Sequence, residues 1–112
     1  MSDCIFCKIA SGEIPSDRVL EEDGLVAFRD LSPQAPTHLL VIPRKHIATM
    51  NDASEDDAAL LGDLLLGCKR AAAAAGLTEY RIVNNCGEGA GQSVFHIHLH
   101  VLGGRSLGWP PG

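Results

Sequence analysis

Phe95-His-Ile-His-Leu-His-Val-Leu102 sets a histidine at every second position, with apolar residues between. Successive side chains of an extended strand point to opposite faces, so His96, His98 and His100 share one face. Phe95, Ile97, Leu99 and Val101 share the other, which reads as a core face. The strand is therefore half core and half working surface. An exposed polar face carrying incidental histidines is the plainer reading, and three histidines in strict register weigh against it. Rings at i and i+2 are separated by about 6.5–7 Å along a strand, which puts His96 and His100 about 13 Å apart. One ion cannot take all three rings of a regular strand. Either two share a metal, or the three have different duties.

Both alternatives have support nearby. A His-x-His pair on a strand is a common zinc arrangement and needs a further ligand, which His38, His46, Asp30 or Glu88 could supply. A nucleophilic histidine needs a neutral ring with its tautomer fixed, and a place for negative charge beside it. Gly87-Glu-Gly-Ala-Gly-Gln-Ser93, just upstream, offers flexible backbone N–H groups and a hydroxyl. Such a loop can wrap an anion with amides alone. The Gly-x-x-x-x-Gly-Lys-Ser/Thr pattern is absent, and no Gly-x-Gly-x-x-Gly links a strand to a helix.

The rest of the chain frames this strand. Its 112 residues suit a single domain, 1–112, and no repeat, charge block or linker divides them. Hydrophobic residues make up 46% and aromatic ones 4%, so the core is expected from Leu, Ile, Val and Ala. A net charge of −5 disfavours nucleic acid, whose binding relies on Lys and Arg. No apolar run reaches 18 residues, which argues against a spanning helix, and the amino terminus has neither a basic stretch nor a secretory apolar run. A soluble, cytoplasmic protein is expected. Four cysteines in that compartment are more often ligands, catalysts or core residues than disulfides, and only Cys4 and Cys7 have metal or redox spacing.

Arg18–Glu21 and Leu25–Phe28 read as strands around a Glu22-Asp-Gly24 turn. A proline-punctuated loop, Asp30–Thr37, precedes a buried strand, His38–Ile42. Ser54-Glu-Asp-Asp57 is a capping-box pattern. Leu60, Leu61, Leu64, Leu65, Cys68, Ala71, Ala72 and Ala75 then recur at helical spacing, predicting one helix of about 20 residues closed by Gly76. The alanine run 71–75 serves either as a strong helix former or as a close-packing face. Tyr80–Asn84 is a further strand. Five strands with one long helix make an α+β domain.

Four motifs in order now carry a resemblance over nearly the whole chain. They are Asp30-Leu-Ser-Pro-Gln-Ala-Pro-Thr-His38, Val41-Ile-Pro-Arg-Lys-His46, Gly91-Gln-Ser-Val-Phe-His96 leading into His96-Ile-His-Leu-His-Val-Leu102, and Trp109-Pro-Pro-Gly112. Together they resemble the histidine triad (HIT) superfamily and, within it, the nucleotide-binding (HINT) branch. The proline-rich tail resembles the dinucleoside polyphosphate hydrolases less.

The resemblance implies a five-stranded antiparallel sheet with one long helix and a short N-terminal helix. It also implies a homodimer joining two sheets into ten strands. The implied ligand is a purine mononucleotide, and the implied reaction is hydrolysis of nucleoside phosphoramidates. His98 would be the nucleophile, His100 would contact the phosphate, and His38 would help hold the rings. Asp30 would accept the ribose hydroxyls, with Phe28 and Leu31 flanking the base. Asn85, Gly91, Gln92 and Ser93 would hold the phosphate, and Trp109 would reach across the dimer to the leaving group. Zinc-containing members imply a structural zinc on Cys4, Cys7, His46 and His96, and no metal for catalysis. Cys86 has no clear counterpart and is expected to be a small packing residue. Alternative functions are a nucleotide-sensing scaffold with incidental catalysis, and a dinucleoside polyphosphate hydrolase or nucleotidyl transferase.

Overall fold

Two segments of this chain, Leu25–Arg29 and Thr37–Pro43, are apolar at nearly every position and can be buried only if both of their faces are covered. The computed structural model, which describes residues 3–112, shows both faces covered. In chain order the elements are α1 (Ile5–Ser11), β1 (Arg18–Glu21), β2 (Leu25–Arg29), β3 (Thr37–Pro43), α2 (Ala58–Ala74), β4 (Tyr80–Val83) and β5 (Leu99–Gly103). The strands form one antiparallel sheet in the order β1-β2-β3-β5-β4. The expected α+β fold, with five strands, a long helix and a short N-terminal helix, is the observed one.

Strand alternation divides the apolar residues between two layers. Leu25, Ala27, Leu39, Val41, Leu99 and Val101 meet Leu64, Cys68, Ala71 and Ala72 of α2 on one face. Val26, Phe28, Leu40 and Ile42 meet Phe6, Ile9 and Ala10 of α1 on the other. The buried stripe of α2, at 64, 67, 68, 71 and 72, follows the helical repeat. Gly67 lies on that stripe because a Cβ there would come within 2.8 Å of Leu25 Cδ2. Ala71 and Ala72 are fully buried, so the first half of the alanine run is a packing face as well as a helix former.

Helix α2 starts later than the sequence suggests. Ser54 and Asp57 do make the capping box, with Asp57 Oδ2 accepting from Ser54 N at 2.9 Å. The residues between them wind as a 3₁₀ turn, and the α-helix runs for 17 residues from Ala58. A bidentate pair from Arg70 to Glu22, both contacts 2.8 Å, ties the helix to the β1–β2 turn.

The histidine stretch also departs from a single regular strand. Ladder pairing begins only at Leu99, so His96 and His98 precede β5. Phe95, expected on the core face, is 46% exposed, whereas Ile97, Leu99 and Val101 are buried. Residues 95–98 are instead tied by the Ile97 N–H to the Ile47 carbonyl at 2.6 Å, beyond the end of β3. Freed from the ladder, the first two histidines need not project like members of a flat row. Among the described residues, no helix is long and apolar enough to cross a membrane.

Candidate active site and metal cluster

The register of β3 against β5 pairs Leu40 with His100 and His38 with Leu102. Directly opposed residues share a face, so His38 and His100 are diagonal neighbours on the α1 side of the sheet. Their rings meet with Nε2 of His38 2.9 Å from Nδ1 of His100. The proton positions follow from the partners. The backbone N–H of Gln34 donates to His38 Nδ1 at 3.0 Å, so Nδ1 is bare and Nε2 carries the hydrogen. His38 Nε2–H therefore donates to His100 Nδ1, which leaves the hydrogen of His100 on its Nε2. Asp30 Oδ2 lies 3.5 Å from His38 Nε2.

His98 has the opposite polarity. Its Nδ1 sits 2.8 Å from the His96 carbonyl, which can only accept. Nδ1 carries the proton and Nε2 is a free lone pair. The rings of His98 and His100 are 5.1 Å apart between centroids. Phe6 packs edge-on against His98 at 5.1 Å. A bare nitrogen thus stands beside an N–H donor. Burial pushes the His38 pKa down against the opposing pull of the Asp30 carboxylate. Burial first, and then the neighbouring His98 and His38, press His100 down to about 4. At neutral pH His38 and His100 are uncharged, as this hydrogen-bond chain requires.

A cavity of about 250 Å³ opens onto these rings. Its apolar lining comes from Ile5, Phe6 and Ile9 of α1 with Phe28, Leu40 and Val94. Its polar lining is Asp30, Ser93, His98 and His100. Leu31 stands at the rim, 98% exposed. The α1 residues and Leu40 lie outside the quoted motifs, and Val94, inside one of them, was given no role there. The available signal was the helical spacing of Ile5, Phe6 and Ile9 beside the cysteines.

Four further motif residues lie apart from this lining. Gln92 is 3% exposed and its side chain is spent on backbone partners. It accepts from Gly87 N–H at 2.8 Å and donates to the carbonyls of Ala48 and Val94 at 2.8 and 3.0 Å. Gly91 has φ +99°, and a Cβ there would lie 3.7 Å from Asn85 Nδ2, so Asn85 and Gly91 face each other across the loop. Trp109 is 82% exposed and lies near the Arg81 guanidinium on edge strand β4, 5.9 Å from the ring centroid. Cys86 is half-buried and free.

The second cluster joins the start of α1 to the segment before β5. Cys4 Sγ and Cys7 Sγ lie 3.4 and 3.5 Å from His96 Nδ1, and Cys7 Sγ lies 3.4 Å from His46 Nδ1. The two Nδ1 atoms are 3.2 Å apart. A tetrahedral ion with bonds of about 2.0–2.1 Å to nitrogen and about 2.3 Å to sulfur would set such edges at about 3.3–3.6 Å. His96 is fully buried, and its Nε2–H donates to the Pro43 carbonyl at 2.8 Å, so its bare Nδ1 faces the cysteines. Burial pushes the Cys7 thiol up, with Cys4 adding to the effect. A bound cation would act in the opposite direction. Cys4, Cys7, His46 and His96 form a group able to hold a metal ion. Asp30, His38 and His100 also lie close enough for one. There, however, a metal on His38 Nε2 would demand a second lone pair on a ring whose Nδ1 already accepts from Gln34.

Sequence and structural relatives place the chain in a family. Residues 11–107 match the HIT domain, and the chain belongs to the HIT family. It is 57% identical to an uncharacterized HIT-like protein of Synechococcus elongatus, over 98% of this chain and 97% of that protein. A HIT family hydrolase from Legionella pneumophila is 58% identical, with a TM-score of 0.94 over 98% of this chain and all of the other. A Zn-bound histidine triad family protein from Mycobacterium smegmatis is 34% identical, with a TM-score of 0.78 over 93% of this chain and 76% of that one.

His100 links the site to stability. With an unfolded value of 6.5 and a folded value near 4, His100 takes up a proton in the unfolded chain before it does so in the native one. Its contribution is fully present above pH 6.5 and is lost as the pH falls toward 4. His100→Asn is expected to show a shallower decline in urea midpoint across that window, at matched metal content. An unchanged slope would contradict the assignment.

Proposed function

We propose that this protein is a HINT-branch hydrolase that cleaves the P–N bond of purine nucleoside 5′-phosphoramidates through a nucleotidyl–histidine intermediate on His98. The observation that carries the reading is the pairing of opposite tautomers, a bare Nε2 on His98 beside an Nε2–H on His100. The cavity supports it by combining an apolar lining for a base with a carboxylate for ribose hydroxyls and the two histidines. The hydrolase named among its structural relatives points the same way.

In this mechanism the purine packs against the apolar lining that Phe28 and Ile5 contribute to the cavity, with Leu31 at the mouth. Asp30 accepts from the ribose, and its Oδ1 is already oriented by the Ser32 N–H at 2.8 Å. His98 Nε2 attacks phosphorus while the P–N bond breaks, and the leaving nitrogen takes a proton from solvent to depart as an amine. The imidazole becomes cationic while its Nδ1–H stays on the His96 carbonyl, which stabilises that charge. His100 Nε2–H and Ser93 bind the phosphoryl oxygens as they gain charge, as donors do in an oxyanion hole. Water then cleaves the P–Nε2 bond, releasing the nucleoside monophosphate and restoring His98. Covalent catalysis replaces one difficult displacement with two easier ones.

We assign Asn85, Gly91 and Gln92 to the phosphate loop, with Gln92 acting through the loop it fastens. Cys4, Cys7, His46 and His96 would hold a zinc ion whose contribution is structural, cross-linking α1 to the segment before β5. A homodimer is supported by the sheet order, which leaves β4 at an edge. An apolar hollow formed by Met50, Leu61, Leu64, Leu65, Ile82, Ile97 and Leu99 lies alongside it. In such a dimer Trp109, carried beside β4, would reach the neighbouring leaving-group side. Residues 1–112 would act as one domain.

His98→Gly should abolish turnover of an adenosine 5′-phosphoramidate while leaving nucleotide binding within about an order of magnitude. Undiminished turnover would remove His98 from the chemistry, and a panel including dinucleoside polyphosphates would expose a different substrate class. Metal analysis should find one zinc per chain, lost together with thermal stability in the Cys4→Ser, Cys7→Ser variant. Protein purified without chelators yet free of zinc would end the zinc assignment. Sedimentation equilibrium should give twice the chain mass, and Ile82→Glu should halve it; a monomeric wild type would refute the dimer.

A further inference from the structure

The tautomer of His38 is held from two sides: the Asp30 carboxylate lies 3.5 Å from Nε2, and one backbone N–H, from an exposed loop without regular structure, donates to Nδ1. Gln34 supplies it. The chain that leaves β5 turns back onto this loop. At Gly104 φ is +95°, and a Cβ there would lie 2.9 Å from Pro36 Cβ, so the turn is pressed against the loop. Arg105, the next residue, reaches over it and donates from Nη2 to the Gln34 carbonyl at 3.0 Å. Its Nη1 donates to the Ser106 carbonyl at 3.0 Å, which aims the guanidinium. The Gln34 side chain also donates to Ser32 O at 3.0 Å, and the next residue, Ala35, is buried.

We propose that Arg105 is a positioning residue: by clamping Gln34 it keeps the Gln34 N–H on His38 Nδ1 and so sets which nitrogen of His100 carries the proton. The consequence follows bond by bond. If the Gln34 N–H swings away, His38 no longer has to keep Nδ1 bare. With the hydrogen on Nδ1, Nε2 becomes an acceptor. Nδ1 of His100 must then donate to it, and Nε2 of His100 is left as a lone pair. A donor aimed at phosphoryl oxygens becomes a repelling lone pair without any ring moving. Arg105 touches neither the cavity nor the rings, and it sits at the end of the strand that carries His100. It therefore joins the two strands of the relay from outside. The catalytic consequence rests on the hydrolase reading above, whereas the tautomer consequence does not.

Nitrogen NMR of the histidine rings, recorded with kinetics on an adenosine phosphoramidate, tests this in the full-length protein. Wild type should show His38 with its hydrogen on Nε2. Arg105→Ala should blur that pattern into a mixture at His38 and His100. It should lower kcat about tenfold, with KM changed by less than about twofold. Arg105→Lys, which keeps a donor, should restore most of both signals. A wild-type ring pattern with wild-type kcat in Arg105→Ala would overturn the proposal. So would a lower melting temperature with the ring pattern unchanged. If the ring pattern shifts but even wild type fails to turn over phosphoramidates, the positioning role stands and the hydrolase reading falls.

Discussion

His96 is the junction on which the rest of this structure depends. It is fully buried, and each of its polar side-chain groups has a partner. Nε2–H is held by the Pro43 carbonyl, Nδ1 faces Cys4, Cys7 and His46, and the backbone carbonyl accepts from His98. One residue thus fixes the end of β3, the start of α1 and the tautomer of the neighbouring histidine. Leaving any of these groups unpaired in the interior would cost about 1–3 kcal/mol, so the three arrangements stand or fall together.

Around that junction the sheet separates two kinds of work. Its α2 face is apolar, built from Leu, Val and Ala with Cys68 at its centre, and burial alone raises that thiol to about 12. Such a thiol is inert and packs as a small hydrophobe. The α1 face begins as core and ends as a cleft, because Leu40 is directly opposite His100 while His38 lies one diagonal away. The short helix α1 covers this face incompletely. The uncovered part is the cavity, and Phe6 belongs both to the packed cluster and to its wall.

Opposite polarity in two adjacent rings is the chemical product of this packing. His98 and His100 are the same residue type two positions apart, yet one presents a lone pair and the other an N–H. The difference comes from what stands behind each ring. A carbonyl that can only accept stands behind His98, and a relay that starts from an amide that can only donate stands behind His100. Burial keeps His38 and His100 neutral, which a chain of single hydrogen bonds requires.

Much of this was legible from residue order. Alternation in 95–102 placed histidines opposite aliphatics, apolar runs marked β2 and β3, and helical spacing marked α2. The strands and the long helix follow from these local patterns because period 2 and period 3.6 each select one way to bury a face, whereas the family follows from the ordered motifs. Other features were not local. Phe95 breaks the alternation because its segment is tied to Ile47 rather than to a strand. Gln34 and Arg105 matter through backbone groups, which every residue carries and no motif records. Gln92 reads as a phosphate ligand, and the structure shows its amide tying the loop to itself and to Ala48. By itself, then, the sequence determined the five strands, the long helix and, through its resemblance, the cysteine–histidine set, but not that only His100 of the three histidines lies on the paired strand. Which proton sits on which ring was decided only by the tertiary structure, because a tautomer is set by the group across the hydrogen bond, and that group comes from elsewhere in the chain.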